Sequence, residues 1–248
     1  MAGKYSGQDV KLYVDGYDLL GSNPKGLNVK LSSAMEDTTG LGSSAIEQSP
    51  VGLTSVELAQ EGAIWDTGTA EIHAAMVSAL PTTPQATARV VSLGFAGTTR
   101  GVPAYGVEST FNTEYEVIAE QGGLTKANVT YNVSGALNDS VVVEYATAKT
   151  ADWNTESSSV DNSASSSGGA VAYQQTFLLT GFSAFVGTVQ DSPNDSTWSD
   201  LIVFDDEGST IGAQRKTVAG SVDRYLSYSG DVTGGSGTVS VFVTVERT

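Results

Sequence analysis

The sequence predicts a mainly β protein, and three observations carry that prediction. Runs with period-two alternation recur along the chain. Turn dipeptides and clusters rich in Gly, Asn, Asp and Ser separate them. Only one segment has helical spacing. In order, Val10–Lys11–Leu12–Tyr13–Val14 alternates and ends at Asp15–Gly16, a hairpin-turn dipeptide. Leu27–Leu31, Val56–Ala59 and Ala88–Leu93 alternate cleanly. Val107–Val117 does so impurely, and Ala127–Val133 follows. The helix is expected at Thr69–Leu80: Asp66–Thr69 offers caps, Ile72, Ala75, Met76, Ala79 and Leu80 form one stripe, and Pro81 closes it. His73 lies off that stripe, which reads as a solvent-facing or interface histidine.

Two stretches break the pattern. Ser32–Leu53 is a polar loop longer than most connections in compact domains. Its spaced apolar residues Met35, Leu41, Ile46 and Val51 suit a segment that packs on a neighbouring subunit. Residues 154–169 read NTESSSVDNSASSSGG, a linker or surface excursion. The expected organisation is therefore a β unit over 1–150, a Ser/Gly-rich linker or excursion over 151–170, and a β-sandwich (jelly-roll or Ig-like) over 171–248. To which unit Val141–Tyr145 belongs is open at this level.

Composition narrows the function. The chain has 248 residues, 12 Lys plus Arg against 28 Asp plus Glu, and a formal charge of −16. Such acidity argues against tight wrapping of nucleic acid, which needs clustered cations. It leaves room for a surface past which DNA moves without sticking. The acidity fits adaptation to high salt or an ordinary acidic soluble protein, and a melting curve against NaCl separates the two. With no Cys and one His, disulfides, thiolate metal sites and multi-histidine centres are excluded, and any Ser–His–Asp triad would depend on His73. There is no apolar run long enough to span a membrane and no signal-peptide pattern at the start, so expression in a cytoplasm without membrane insertion is expected. Asp205–Asp206–Glu207 and Asp191–Asp195 lack the spacing of a calcium loop and read as solvated turns. No cofactor, metal or catalytic residue is expected. Trp198 is a candidate surface aromatic of the outer domain, although a place in its core suits the surrounding pattern better.

The opening GKYSGQDVKLYVDGYDLLG resembles the first hairpin of the tail tube, or major tail, proteins of long-tailed phages and related archaeal viruses. The strand at Leu27–Leu31, the loop with Asp37–Gly42, the strand at Val56–Ile64 and the helix ending in Leu80–Pro81 follow in the same order. The stretch from DSTWSDL to SVFVTVER resembles the C-terminal sandwich appended to many such subunits. The resemblance implies a tail-tube-type sandwich or barrel with one short helix and a long loop, plus an outer sandwich. It implies subunits that join edge to edge into rings, hexameric or alternatively trimeric. The rings stack with other tail proteins into a hollow tube in a virion assembled in the host cytoplasm. The loop bearing Met35, Asp37, Leu41, Ile46 and Val51 would reach an adjacent subunit or ring. Glu57, Glu61, Glu114 and Glu116 are the candidate acids facing the lumen through which DNA passes. The rival reading is a two-sandwich module binding carbohydrate or a cell surface through an exposed aromatic shelf.

Overall fold

The structure is a computed structural model that describes residues 9–20, 26–37, 39, 48–66, 68, 72–77, 88–134 and 137–248. Its fold is mainly β. The strands are β1 (Lys11–Val14), β2 (Tyr17–Asp18), β3 (Gly26–Asp37), β4 (Gln48–Ile64), β5 (Arg89–Gly94), β6 (Pro103–Ile118), β7 (Lys126–Val133) and β8 (Leu137–Lys149). They continue with β9 (Trp153–Asn154), β10 (Val160–Asp161), β11 (Ala170–Ser192), β12 (Ser199–Val203), β13 (Gly212–Val218) and β14 (Tyr225–Arg247). One helix, α1 (Ile72–Val77), lies between β4 and β5. The remaining cap and stripe residues expected for that helix fall mostly outside the described residues.

The first hairpin forms as its sequence requires. Asp15 and Gly16 both have positive φ, 50° and 83°, the geometry of the tight turn that matches strand twist. A side chain at Gly16 would stand 2.7 Å from the backbone of Gly212 and Thr176, so the turn is also a docking point for the second half of the chain. Around it lies the first core. Leu12, Val14, Val91, Leu93 and Val107 from β1, β5 and β6 meet Leu58, Ala63, Ala127, Val129 and Tyr131 from β4 and β7. Ile72, Ala75 and Met76 of α1 complete it, fully buried.

The second core is built by two strands used twice. β11 and β14 have 23 residues each and pair from Ala170↔Arg247 to Ser192↔Tyr225. Their register slips near Thr176–Phe182, where Gly181, Gly234 and Gly235 take positive φ. Before the slip β11 pairs β13, and the facing half of β14 pairs β8. Beyond it β11 pairs β12, while β14 takes β9 and β10. The two halves of the ribbon fold onto each other: Tyr228 Oη donates to Gln174 Oε1 at 2.7 Å, across the layers. Phe185, Val189, Ile202, Phe204, Leu226 and Val241 fill the space between them. Trp153, stacked on Phe185 with ring centroids 5.9 Å apart, plugs this sandwich. Trp198, half-buried beside β12, is not part of the cluster, which corrects the core role its surroundings suggest.

The sheet passes unbroken between the halves. β8 pairs β6 through Leu137–Val141 and β14 through Val141–Lys149, so the segment that sequence leaves unassigned belongs to both. A third cluster, Tyr13, Ala104, Val142 and Phe242, sits at this junction, with Phe177 stacked 4.8 Å from Tyr13. Gln175 reaches across it, accepting from Gly16 N at 2.8 Å and donating to Val90 O at 3.0 Å. Residues 151–170 lie against the sandwich. Within them, Thr155 N donates to Tyr228 O, and Tyr228 N donates back to Thr155 Oγ1.

The Ser32–Leu53 stretch differs from expectation. Its flanks are strand, paired from Asp37↔Gln48 to Gly26↔Glu61 in a long β3–β4 hairpin. Alternation is a weak guide here because the successive residues Leu31, Ser32 and Ser33 are all exposed, so no burial period marks the strand.

Candidate functional site

Four strands, in the order β3–β4–β7–β6, make a sheet whose inner face covers the first core. Alternation assigns the faces. Val56, Leu58 and Gln60 of β4 and Ala127, Val129 and Tyr131 of β7 are buried inward. The residues between them turn outward. Register then places Lys30 beside Glu57, Glu57 beside Asn132, Ala59 beside Thr130, Glu114 beside Thr130 and Glu116 beside Asn128. The structure therefore brings Glu57, Glu61, Glu114 and Glu116 onto one solvent-facing surface. Glu61, Glu114 and Glu116 are exposed there, and Glu57 is half-exposed. Asn128 ties the strands together: its Oδ1 accepts from Gly62 N at 2.9 Å, and its Nδ2 donates to Glu116 Oε2 at 3.0 Å. Sequence reading missed Asn28, Lys30, Asn128, Thr130 and Asn132 on this face. The alternation of Asn128, Thr130 and Asn132 with apolar neighbours was the signal that identifies them.

Both lateral edges of this sheet are open among the described residues. β3 pairs only β4, and β6 beyond Thr110 pairs only β7. Such edges present unpaired N–H and C=O groups along their length. Of the residues proposed for subunit contact, Asp37 is exposed, and hydrogen bonds from the Thr39 side chain and from Thr39 N lower its carboxyl pKa. Met35 and Val51 are strand residues of the hairpin, and Leu41 and Ile46 lie outside the described residues.

Several cations are held by carboxylates. Arg89 pairs with Asp15, Arg100 with Glu144, Lys126 with Glu120, Lys216 with Asp205 and Arg224 with Asp161. Hydrogen bonding to Arg224 holds the Asp161 carboxyl down at about 2. Half-buried His73 has its Nδ1 3.0 Å from Tyr115 Oη, which also accepts from Trp65 Nε1. Among the described residues, no carboxylate joins that contact through a hydrogen bond. Among the described residues, no group of three or more His, Cys, Asp or Glu could hold a metal ion. None of their helices is long and apolar enough to cross a membrane.

No family model and no curated protein matches the sequence. Among solved structures, the chain is similar to chains of gene transfer agent particles and to a phage protein. One, from the virion of a native gene transfer agent particle, is 11% identical over 55% of this chain and 98% of that one, with a TM-score of 0.42. Another, from the tail of an empty gene transfer agent particle with C6 symmetry, is 12% identical with the same coverage and a TM-score of 0.40. The Dit protein of phage SPP1, from the hub of its adsorption apparatus, is 10% identical over 96% of this chain and 98% of that one, with a TM-score of 0.33.

Proposed function

We propose that the chain is a non-enzymatic structural subunit of a viral tail, one that joins copies of itself into rings stacked around a DNA passage. The observation that carries this reading is the β3–β4–β7–β6 sheet, whose lateral edges are both open among the described residues and whose outer face bears four glutamates. A long open edge is a liability in a monomer and a joint in a polymer. Pairing the β3 edge of one copy with the β6 edge of the next satisfies both rows of backbone groups. Repeated around an axis, the pairing closes a barrel without edges. The acidic face then lines the lumen. There Glu57, Glu61, Glu114 and Glu116 repel phosphate, and Lys30 is held beside Glu57. The folded ribbon of β11 and β14 stands as the outer sandwich. A hexameric ring is the preferred symmetry and a trimer the alternative, and other tail proteins cap the stack.

A charge of −16 on every copy opposes association until salt screens it, so we place assembly at high ionic strength, as a halophilic host would supply. Negative-stain electron microscopy and sedimentation test this at about 0.1 M and about 2 M NaCl, where the Debye length falls from ~10 Å to a few ångströms. The expected result is annular projections and hollow rods, longer at high salt. A monomer at every concentration and salt would overturn the reading.

A further inference from the structure

The strands β3, β4, β7 and β6 each run antiparallel to the next. The edge strands β3 and β6 therefore point in opposite directions. A copy related by rotation brings its β3 beside β6 of its neighbour as one more antiparallel pair. Because side chains alternate, only registers that differ by two residues keep the inner and outer faces continuous. The edge strands carry distinguishing residues on both faces. On the inner face, Leu31 of β3 is 63% exposed and Val117 of β6 is 44% exposed, although their partners within the sheet, Val56 and Ala127, are buried. On the outer face, β3 presents Lys30 and β6 presents Glu114 and Glu116, all exposed. Lys30 enters none of the ion pairs among the described residues.

We infer that neighbouring copies join with Leu31 opposite Tyr115, which sets Lys30 opposite Glu116. The inference rests on the ring reading and fixes which residues meet at its joint. The same register places Val29 opposite Val117. Both exposed apolar side chains then lie against apolar or aromatic partners, and the cation of β3 lies against a carboxylate, with Glu114 on the diagonal. The adjacent registers each fail on one face. Shifted two residues one way, Lys30 meets Glu114, but Leu31 meets Thr113, the exposed extra residue at the bulge between Asn112 and Glu114. Shifted the other way, Leu31 meets Val117, but Lys30 meets Ile118. The stagger also suits a closed barrel. Leu27, Gln60, Val129 and Tyr115 share a row within one copy, so a neighbour's Leu31 opposite Tyr115 steps the row from 27 to 31, four residues over four strands. One residue per strand is the stagger of an eight-stranded barrel of shear eight, whose strands tilt by about 36°. An exposed ion pair selects register more than it adds affinity, so salt that screens the overall charge leaves the joint in place.

The natural absence of cysteine makes the test direct. A chain carrying Lys30→Cys and Glu116→Cys has its two thiols on opposite edges of one sheet, about 14 Å apart across three strand spacings, too far for a disulfide within one copy. Oxidised under assembling conditions, it is expected to give a ladder of covalent multimers on denaturing electrophoresis. Chains pairing Lys30→Cys with Glu114→Cys or with Ile118→Cys are expected to give few. In sedimentation, Lys30→Glu is expected to lower the yield of rings, and adding Glu116→Lys, which returns the net charge to −16, to recover it. Rings that cross-link best through position 114 or 118, rings that cross-link through none of the three, or a charge reversal without recovery would overturn this register and leave the ring reading standing. Failure of the unsubstituted chain to form rings at all would remove both.

Discussion

At the scale of single residues, the structure is most exacting where the two halves meet. A methyl group at Gly106 would lie 2.1 Å from the Tyr173 ring, itself fully buried and held by Asn138 Nδ2. Gly106→Ala should therefore destabilise the fold by about 1–3 kcal/mol or more, because a close-packed interior has no room to yield. The check is a drop in the urea midpoint at unchanged slope, with partial recovery when Tyr173→Leu is added. Titration gives a second prediction. Burial raises the carboxyl pKa of Asp15, Asp191, Glu207 and Asp231. A carboxyl raised on folding contributes stability below its ordinary value, near 4, and loses it as pH climbs through the folded value. Asp161, held at about 2, acts oppositely: its contribution is present above the ordinary range and lost as pH falls through the folded value. The melting temperature should thus rise as pH is lowered through the folded values of these four carboxyls toward their ordinary range of about 4, and decline again in stronger acid as Asp161 is protonated. A melting temperature that falls steadily over that whole descent would contradict the assignment.

At the scale of elements, what could be read from sequence follows a simple divide. Strands with one wet and one dry face announce themselves, as β7 does, because burial enforces alternation. The helical stripe of Ile72, Ala75 and Met76 was legible for the same reason. β1 and β5 alternate in sequence although both of their faces are buried, between the first core and the junction. The extension of β3 into the polar stretch was not legible, since the successive residues Leu31, Ser32 and Ser33 are all exposed and carry no burial period. The acids were recognisable as strand residues, but their shared face depends on register between strands distant in sequence, which one sequence does not display. That face yields a test. Glu57→Lys, Glu61→Lys, Glu114→Lys and Glu116→Lys together raise the formal charge by eight, from −16 to −8. The quadruple variant should retain duplex DNA in a gel at low salt and release it steeply as salt rises, by up to ~0.9 log units per log salt for each phosphate contacted. The unsubstituted chain should retain none. A variant as indifferent to DNA as its parent would show that this surface is not the one turned toward the genome.

At the scale of the whole molecule, the halves are not separable in the way the Ser/Gly-rich stretch suggests. Cutting the chain after Thr150 would strip β14 from β8 and uncover Val142 and Tyr13, both fully buried. The shortened chain should be insoluble or lack a cooperative melting transition, and a sharp melt by differential scanning calorimetry would refute the interdependence. One consequence concerns the order of events during synthesis. β14 follows every strand it organises, β8, β9, β10 and β11. On the ribosome the nascent chain therefore cannot settle its central sheet until residues 225–247 emerge. On the proposed reading, polypeptides still being translated would thereby be kept from seeding polymer on crowded polysomes.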